Sequence, residues 1–135
     1  MIVERLDHVN IITDQLDETA RFYEDLLDLE RRDGPPPMKP EHVQWLHDSA
    51  GQAILHINHV DFPRVYDRDV APGSTTGAIH HVALRCSDFD KVKDRLDRKA
   101  ADYSDNEVPS IGLVQIFTAD PNNVLLELNF FTPVG

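Results

Sequence analysis

Apolar and polar positions along the chain follow a pattern that returns after 71 to 73 residues. Three pairs of segments carry the repeat: 6–11 with 79–84, 44–46 with 115–117, and 53–58 with 124–129. Single strands often resemble one another by chance, but three matches in the same order at nearly one spacing indicate an internal duplication. The chain is therefore predicted to contain two copies of one module.

Each copy predicts the same order of elements. Strand-like alternation and short apolar runs predict strands at 4–13, 43–47 and 53–59, and at 78–86, 113–119 and 124–131. A weaker strand is expected near 30–33 and near 102–108. Helical spacing of apolar residues predicts one helix over 16–29 with Asp14 as its N-cap, and a second helix capped by Ser87. The prediction is an α+β fold of two tandem βαβββ modules.

Length and turn residues suggest how the modules are joined. The 135 residues suit one domain by the usual length prior. Pro, Gly, Ser and Thr are common between 61 and 77, which is typical of a linker. We therefore expect a single domain over 1–135, with module one at about 1–60 and module two at about 78–135.

Charge and cysteine content restrict the function. The formal net charge is −11, so nucleic acids and anionic membrane surfaces are not expected as partners. No apolar run approaches the roughly 20 residues needed to span a bilayer. The single cysteine and the lack of a signal-peptide pattern favour a cytoplasmic location. A small-molecule substrate is the expected partner.

Alternation along the strands brings ligand-type side chains to one face. His8 and His81 occupy equivalent positions of the repeat and face away from the helices. Glu127 stands among leucines on a strand, where a buried carboxylate without a partner is costly. Two histidines and one carboxylate form a pattern that holds a divalent metal and leaves positions open for substrate. His56, the repeat equivalent of Glu127, lies on the same predicted face.

The sequence resembles the vicinal oxygen chelate superfamily, which includes glyoxalases, extradiol dioxygenases, fosfomycin-resistance transferases and bleomycin-resistance proteins. The resemblance rests on four motifs that span nearly the whole chain: LDHV at 6–9, ARFYEDLL at 20–27, IHHVAL at 79–84 and DPNNVLLEL at 120–128. It implies paired βαβββ modules that form a cupped mixed sheet around a divalent metal (Fe, Mn, Ni, Co or Zn). Carried over by position, the metal ligands are His8, His56, His81 and Glu127.

His56 departs from the pattern of the glyoxalase I type, in which this position is usually a glutamate. The departure argues against a direct assignment as a lactoylglutathione lyase. In other members three ligands suffice, and these match His8, His81 and Glu127. His56 is expected to be a fourth ligand; the alternative is an acid or base just outside the metal's ligands, which a pKa near neutrality would suit.

The implied chemistry is Lewis-acid catalysis on two neighbouring substrate oxygens, with Glu127 as the catalytic residue that moves a proton. Arg85, Trp45 and Phe117 are candidate substrate contacts, although an ion pair for Arg85 and core packing for the aromatic residues are alternatives.

The favoured function is a glyoxalase-like isomerase or lyase. The alternatives are an Fe(II) extradiol-type dioxygenase and a non-catalytic, ligand-sequestering protein of the bleomycin-resistance kind.

A homodimer is expected because a small two-module chain has sheet edges to cover. His80 is expected to face the helices or a subunit contact.

Overall fold

A computed structural model describes residues 2–64, 66, 68 and 72–132 of the chain. These residues form two compact units, one over residues 1–72 and the other over residues 73–135. Each unit contains one four-stranded sheet and one α-helix. The two units repeat the same βαβββ order, which confirms the predicted fold class.

The first unit contains β1 (Val9–Thr13), α1 (Leu16–Leu27), β2 (Glu30–Asp33), β3 (Val43–His47) and β4 (Ala53–His59). The second contains β5 (Val82–Cys86), α2 (Phe89–Arg98), β6 (Tyr103–Val108), a 3₁₀ turn (Pro109–Ile111), β7 (Leu113–Ala119) and β8 (Leu125–Phe131). The strand orders are β1-β4-β3-β2 and β5-β8-β7-β6. In each sheet the first strand runs parallel to the last, and the other pairs are antiparallel.

The helix side of each sheet is its buried side. In the first unit, Tyr23 and Leu26 of α1 are fully buried, as are Leu46 of β3 and Ile57 of β4. Burying one such side chain stabilises a fold by about 1.5–3 kcal/mol. In the second unit, the ring of Phe89 at the start of α2 meets the Phe130 ring edge-on at 5.4 Å. The opposite face of each sheet carries both polar and aromatic side chains, among them His56 and Trp45 in the first unit and Glu127 and Phe117 in the second.

Strand pairing corrects one of the three repeat matches. Trp45 lies opposite His56, and Phe117 lies opposite Glu127. Trp45 is therefore equivalent to Phe117, and the match of Gln44 with Gln115 was wrong by one residue. Short apolar strands can slide against each other in a sequence comparison, whereas backbone pairing fixes the register.

The first strand of each unit begins later than predicted, at Val9 rather than residue 4 and at Val82 rather than residue 78. The parallel register explains both differences. Val9 is paired with Leu55, and β4 begins only two residues earlier at Ala53. Residues 4–6 therefore have no strand beside them, and the same argument applies before β5 because β8 begins at Leu125.

The helix ends also differ from the prediction. Gln15, not Asp14, occupies the N-cap position of α1, and no side chain caps that end. The helix ends two residues early because Asp28 adopts a left-handed conformation, with φ of 58°. Asp88, not Ser87, is the N-cap residue of α2.

An aspartate holds the tight turn before the last strand of each unit. Oδ1 of Asp48 accepts hydrogen bonds from the backbone N–H groups of Ala50 (3.0 Å) and Gln52 (2.9 Å). Oδ1 of Asp120 accepts from those of Asn122 (2.7 Å) and Val124 (2.9 Å). The two turns therefore have the same construction.

No α-helix among the described residues combines the length and the apolar character needed to cross a membrane.

Candidate functional site

Three rings stack on the helix-free face of the first unit. Leu55 and Ile57 of β4 are buried on the helix side, so His56 between them faces the other way. The His56 ring lies between two others: its centroid is 3.7 Å from that of His8 and 4.1 Å from that of Trp45. Burial, followed by the nearby charge of His8, lowers the pKa of His56 to about 4. His56 is therefore a neutral imidazole at neutral pH, the form that binds metals.

His8 is held by the residue that precedes it. Its Nδ1 lies 2.6 Å from Oδ2 of Asp7, and this hydrogen bond is the main reason that the pKa of Asp7 is lowered. An ionised carboxylate can only accept hydrogen bonds, so Nδ1 of His8 carries the proton. In the neutral ring this leaves the lone pair on Nε2. Histidines that bind metals usually have such a carboxylate partner on their other nitrogen.

His81, the equivalent of His8, also has the residue before it at its Nδ1, but that partner is an imidazole rather than a carboxylate. Its Nδ1 lies 2.9 Å from Nδ1 of His80, and its Nε2 lies 3.8 Å from Oε1 of Glu127. His80 occupies the position equivalent to Asp7. His80 is exposed and its ring meets that of His81 edge-on, so it does not face the helices; the alternative of a subunit contact stays a prediction.

The second oxygen of Glu127 belongs to a chain of amide hydrogen bonds across the sheet. Asn129 Nδ2 donates to Oε2 of Glu127 at 2.9 Å, and Gln115 Nε2 donates to Oδ1 of Asn129 at 3.2 Å. Asn106 Nδ2 in turn donates to Oε1 of Gln115 at 2.9 Å. We call Asn106, Gln115 and Asn129 the amide row. Alternation along the strand places Asn129 on the face of Glu127, but the amide row itself was not predicted from the sequence.

The three candidate substrate contacts lie on the helix-free faces. Trp45 and Phe117 are half-buried beside His56 and Glu127, while their neighbours Leu46 and Ile116 fill the core. Arg85 lies opposite Asn129, and its guanidinium carbon is 4.2 Å from the centroid of the Phe131 ring. Within the described residues Arg85 makes no ion pair, so the alternative of a structural ion pair is not supported.

The donor groups suit a divalent metal in chemical type, since they are three imidazoles and one carboxylate. The structure brings them together as two pairs, His8 with His56 in the first unit and His81 with Glu127 in the second. In the described part of the chain, no group of three or more such side chains is gathered into a metal-binding cluster. His81 and Glu127 face each other closely enough for small movements to bring both onto one ion. The parallel rings of His8 and His56 are not in a chelating arrangement.

Comparison with protein-family models gives a match over most of the chain. The model of the Glyoxalase/Bleomycin resistance protein/Dioxygenase superfamily matches residues 5–128. A glyoxylase/bleomycin resistance protein/dioxygenase domain from Frankia sp. EAN1pec has a TM-score of 0.70 at 17% identity, over 98% of this chain and 96% of that one. No curated protein sequence matches significantly.

Two further solved structures have names that carry an activity. Lactoylglutathione lyase from Agrobacterium tumefaciens gives a TM-score of 0.65 at 17% identity, over 96% of each chain. A fosfomycin resistance protein from Mesorhizobium loti gives 0.63 at 18% identity, over 97% of this chain and 95% of that one. At such low identities these likenesses concern the fold alone.

Proposed function

Because the chain belongs to the Glyoxalase/Bleomycin resistance protein/Dioxygenase superfamily, we propose that it is a metal-dependent enzyme of the glyoxalase-like type. Its core metal ligands are His8, His81 and Glu127, with His56 as a fourth. Its reaction is an isomerisation or a lyase reaction on a small molecule with two neighbouring oxygens.

One observation carries this proposal: each core histidine is tied through Nδ1 to the residue before it. Asp7 holds His8 at 2.6 Å, and His80 holds His81 at 2.9 Å. For His8, whose partner can only accept, this sets the ring orientation and leaves the Nε2 lone pair for a ligand bond. His81 is left in the same state when its Nδ1 donates to His80. This arrangement recurs at equivalent positions of both modules, although the residue that supplies it differs. A solvated histidine on a sheet surface has no need of such support.

The bound divalent ion supplies Lewis acidity to the two substrate oxygens. Glu127 would be the catalytic residue that takes and returns a proton at Oε1, when that oxygen partly dissociates from the metal. Asn129 Nδ2 donates a hydrogen bond to the other oxygen, Oε2, at 2.9 Å. This hydrogen bond holds the carboxylate in place. Trp45 and Phe117 present flat apolar surfaces beside His56 and Glu127, where they exclude water from a bound substrate.

A second candidate is an Fe(II) extradiol-type dioxygenase. The observation that favours it is the ligand set, since two histidines and one carboxylate with open positions are typical of non-haem Fe(II) oxygenases. We favour the isomerase or lyase because the sequence offers no match for the additional catalytic histidine and tyrosine of the extradiol enzymes.

Elemental analysis of protein purified without chelator, followed by a substrate panel with the identified metal, tests the proposal. Turnover of α-oxo or α-hydroxy compounds without oxygen supports the isomerase or lyase. Oxygen consumption on catechols supports the dioxygenase. Tight binding of bleomycin or a similar compound, with no metal and no turnover, would replace both with a sequestering role.

We further propose that the protein works in the cytoplasm as a homodimer on a small-molecule substrate, without nucleic-acid or membrane partners. The single cysteine and the net charge of −11 support this environment. Edge strands β1 and β5 support the dimer, because unpaired strand edges are usually covered.

A further inference from the structure

Arg85 has an unusual position for a basic side chain in an acidic protein. The chain has 24 acidic and 13 basic residues, so a basic side chain has many possible anionic partners. In the same unit, Lys93 pairs with Asp105 and Arg98 pairs with Asp94. Among the described residues, Arg85 has only the Phe131 ring, at 4.2 Å.

The Phe131 ring holds the guanidinium without using its hydrogen bonds. A cation over an aromatic face is attracted by the ring, while the N–H groups at its edge stay available. Arg85 is exposed, and 38% of the surface of Phe131 is accessible. The pair therefore presents an oriented guanidinium on the helix-free face of its sheet, with its N–H groups available to a ligand.

Arg85 shares its sheet face with two polar residues of β8, Asn129 and Glu127. Arg85 lies opposite Asn129, and Ala83, two residues earlier, lies opposite Glu127. Successive residues on one face of a strand are about 6.6–7 Å apart. Glu127 is on the neighbouring strand, so Arg85 lies diagonally from it, one strand across and one such step along. The guanidinium itself lies over Phe131, on the far side of Asn129 from Glu127.

We infer that Arg85 and Phe131 form a subsite for a substrate carboxylate, so that the substrate is an oxygenated acid and not a neutral carbonyl compound. This inference rests on the proposed function, because it places the carboxylate on the sheet face that also carries the proposed ligand Glu127. The fork of N–H groups on arginine matches a carboxylate in two parallel hydrogen bonds. One cation in a chain of net charge −11 suits a singly charged group better than a doubly charged phosphate.

Chelators of graded length test the subsite. Co²⁺-loaded protein is titrated with acetohydroxamate and with the monohydroxamates of malonic, succinic and glutaric acids, and the visible absorption of the cobalt reports binding. Each probe offers the same two oxygens, and three of them add a carboxylate at a different distance. We expect one length to bind roughly 10- to 100-fold more tightly than acetohydroxamate, the range for hydrogen bonds to a charged group.

Arg85→Gln should remove the tighter binding of the best carboxylate-bearing probe and leave acetohydroxamate binding unchanged. Arg98→Gln, which removes the same charge from the same unit, should keep the advantage. Phe131→Leu should reduce it, because the guanidinium loses the ring that orients it. Circular dichroism shows whether each variant is folded.

If a carboxylate-bearing probe binds more tightly than acetohydroxamate by the same factor in wild type and in Arg85→Gln, the subsite inference is wrong, but the proposed metal site is unaffected. A carboxylate that brings no advantage at any length would do the same. If acetohydroxamate itself leaves the cobalt spectrum unchanged, the proposed metal function fails, and the subsite inference fails with it.

Discussion

The rings of His8 and His56 stack with centroids 3.7 Å apart and planes only 11° from parallel. A metal bound to an imidazole nitrogen lies close to the plane of that ring. Two nearly parallel planes at this separation share no point near the rings, so the stacked histidines cannot both bind one ion. If both are ligands, one ring must turn out of the stack when the metal binds.

His56→Ala should weaken metal binding, whereas His56→Glu should retain it, because glutamate also donates an oxygen from this position. Metal affinity and turnover are measured on both variants. Unchanged affinity with lost turnover in His56→Ala would make His56 an acid or base instead. If His56→Ala keeps both metal and activity, His56 lies outside the site.

Replacing His8, His81 or Glu127 with Ala should each abolish most metal binding and leave the metal-free protein folded. All three side chains lie on the helix-free faces, away from the buried core. Metal content by elemental analysis and thermal unfolding of the metal-free forms check this. His42→Ala, which removes a half-buried histidine outside the two pairs, is the matched control. Normal metal content in all three variants would refute the assignment.

Asp7→Ala should lower metal affinity by about 10- to 100-fold, the usual effect of losing the partner of a metal-bound histidine. The His8 ring stays in place, but its tautomer and orientation are no longer fixed by the 2.6 Å hydrogen bond. Asp14→Ala, which removes an exposed charge seven residues later, controls for the change in net charge. Equal affinities of the two variants would mean that Asp7 does not support a ligand.

Cys86 should react slowly with iodoacetamide at pH 8. Burial raises its pKa from 9.0 to about 11, and only the thiolate is nucleophilic. The rate should rise about tenfold per pH unit between pH 8 and 10, in proportion to the thiolate fraction. Because the folded protein holds this proton more tightly, the contribution of Cys86 to stability is lost as pH rises from about 9 to about 11. Rapid labelling of the folded protein at pH 8 would show that the thiol is accessible and ionised.

Sedimentation at micromolar concentration should give a mass of about twice the 15.3 kDa of the chain. Edge strands β1 and β5 leave unpaired backbone groups that a second copy can cover. A single species of 15.3 kDa would contradict the homodimer.

The periodicity of apolar residues predicted the strands and helices that pack into the core. It failed at the ends of some elements, where the backbone conformation of single residues sets the boundary. Strands β3, β4 and β7 begin and end where the sequence predicted, and each places apolar residues in the core. The end of α1 at Asp28 depends on one left-handed residue, which apolar spacing does not encode. The shared face of Glu127 and Asn129 was predictable from alternation. The Phe131 ring under Arg85 was not, because it depends on side-chain rotamers.

The aspartate turns at Asp48 and Asp120 have a consequence for the order of folding. Each turn closes a hairpin between strands that are adjacent in sequence, so its chain-entropy cost is small and its formation is fast, on the order of 1–10 μs. Its hydrogen bonds span at most four residues and require nothing from the other module. Each half of the chain can therefore form its own hairpin without the other half.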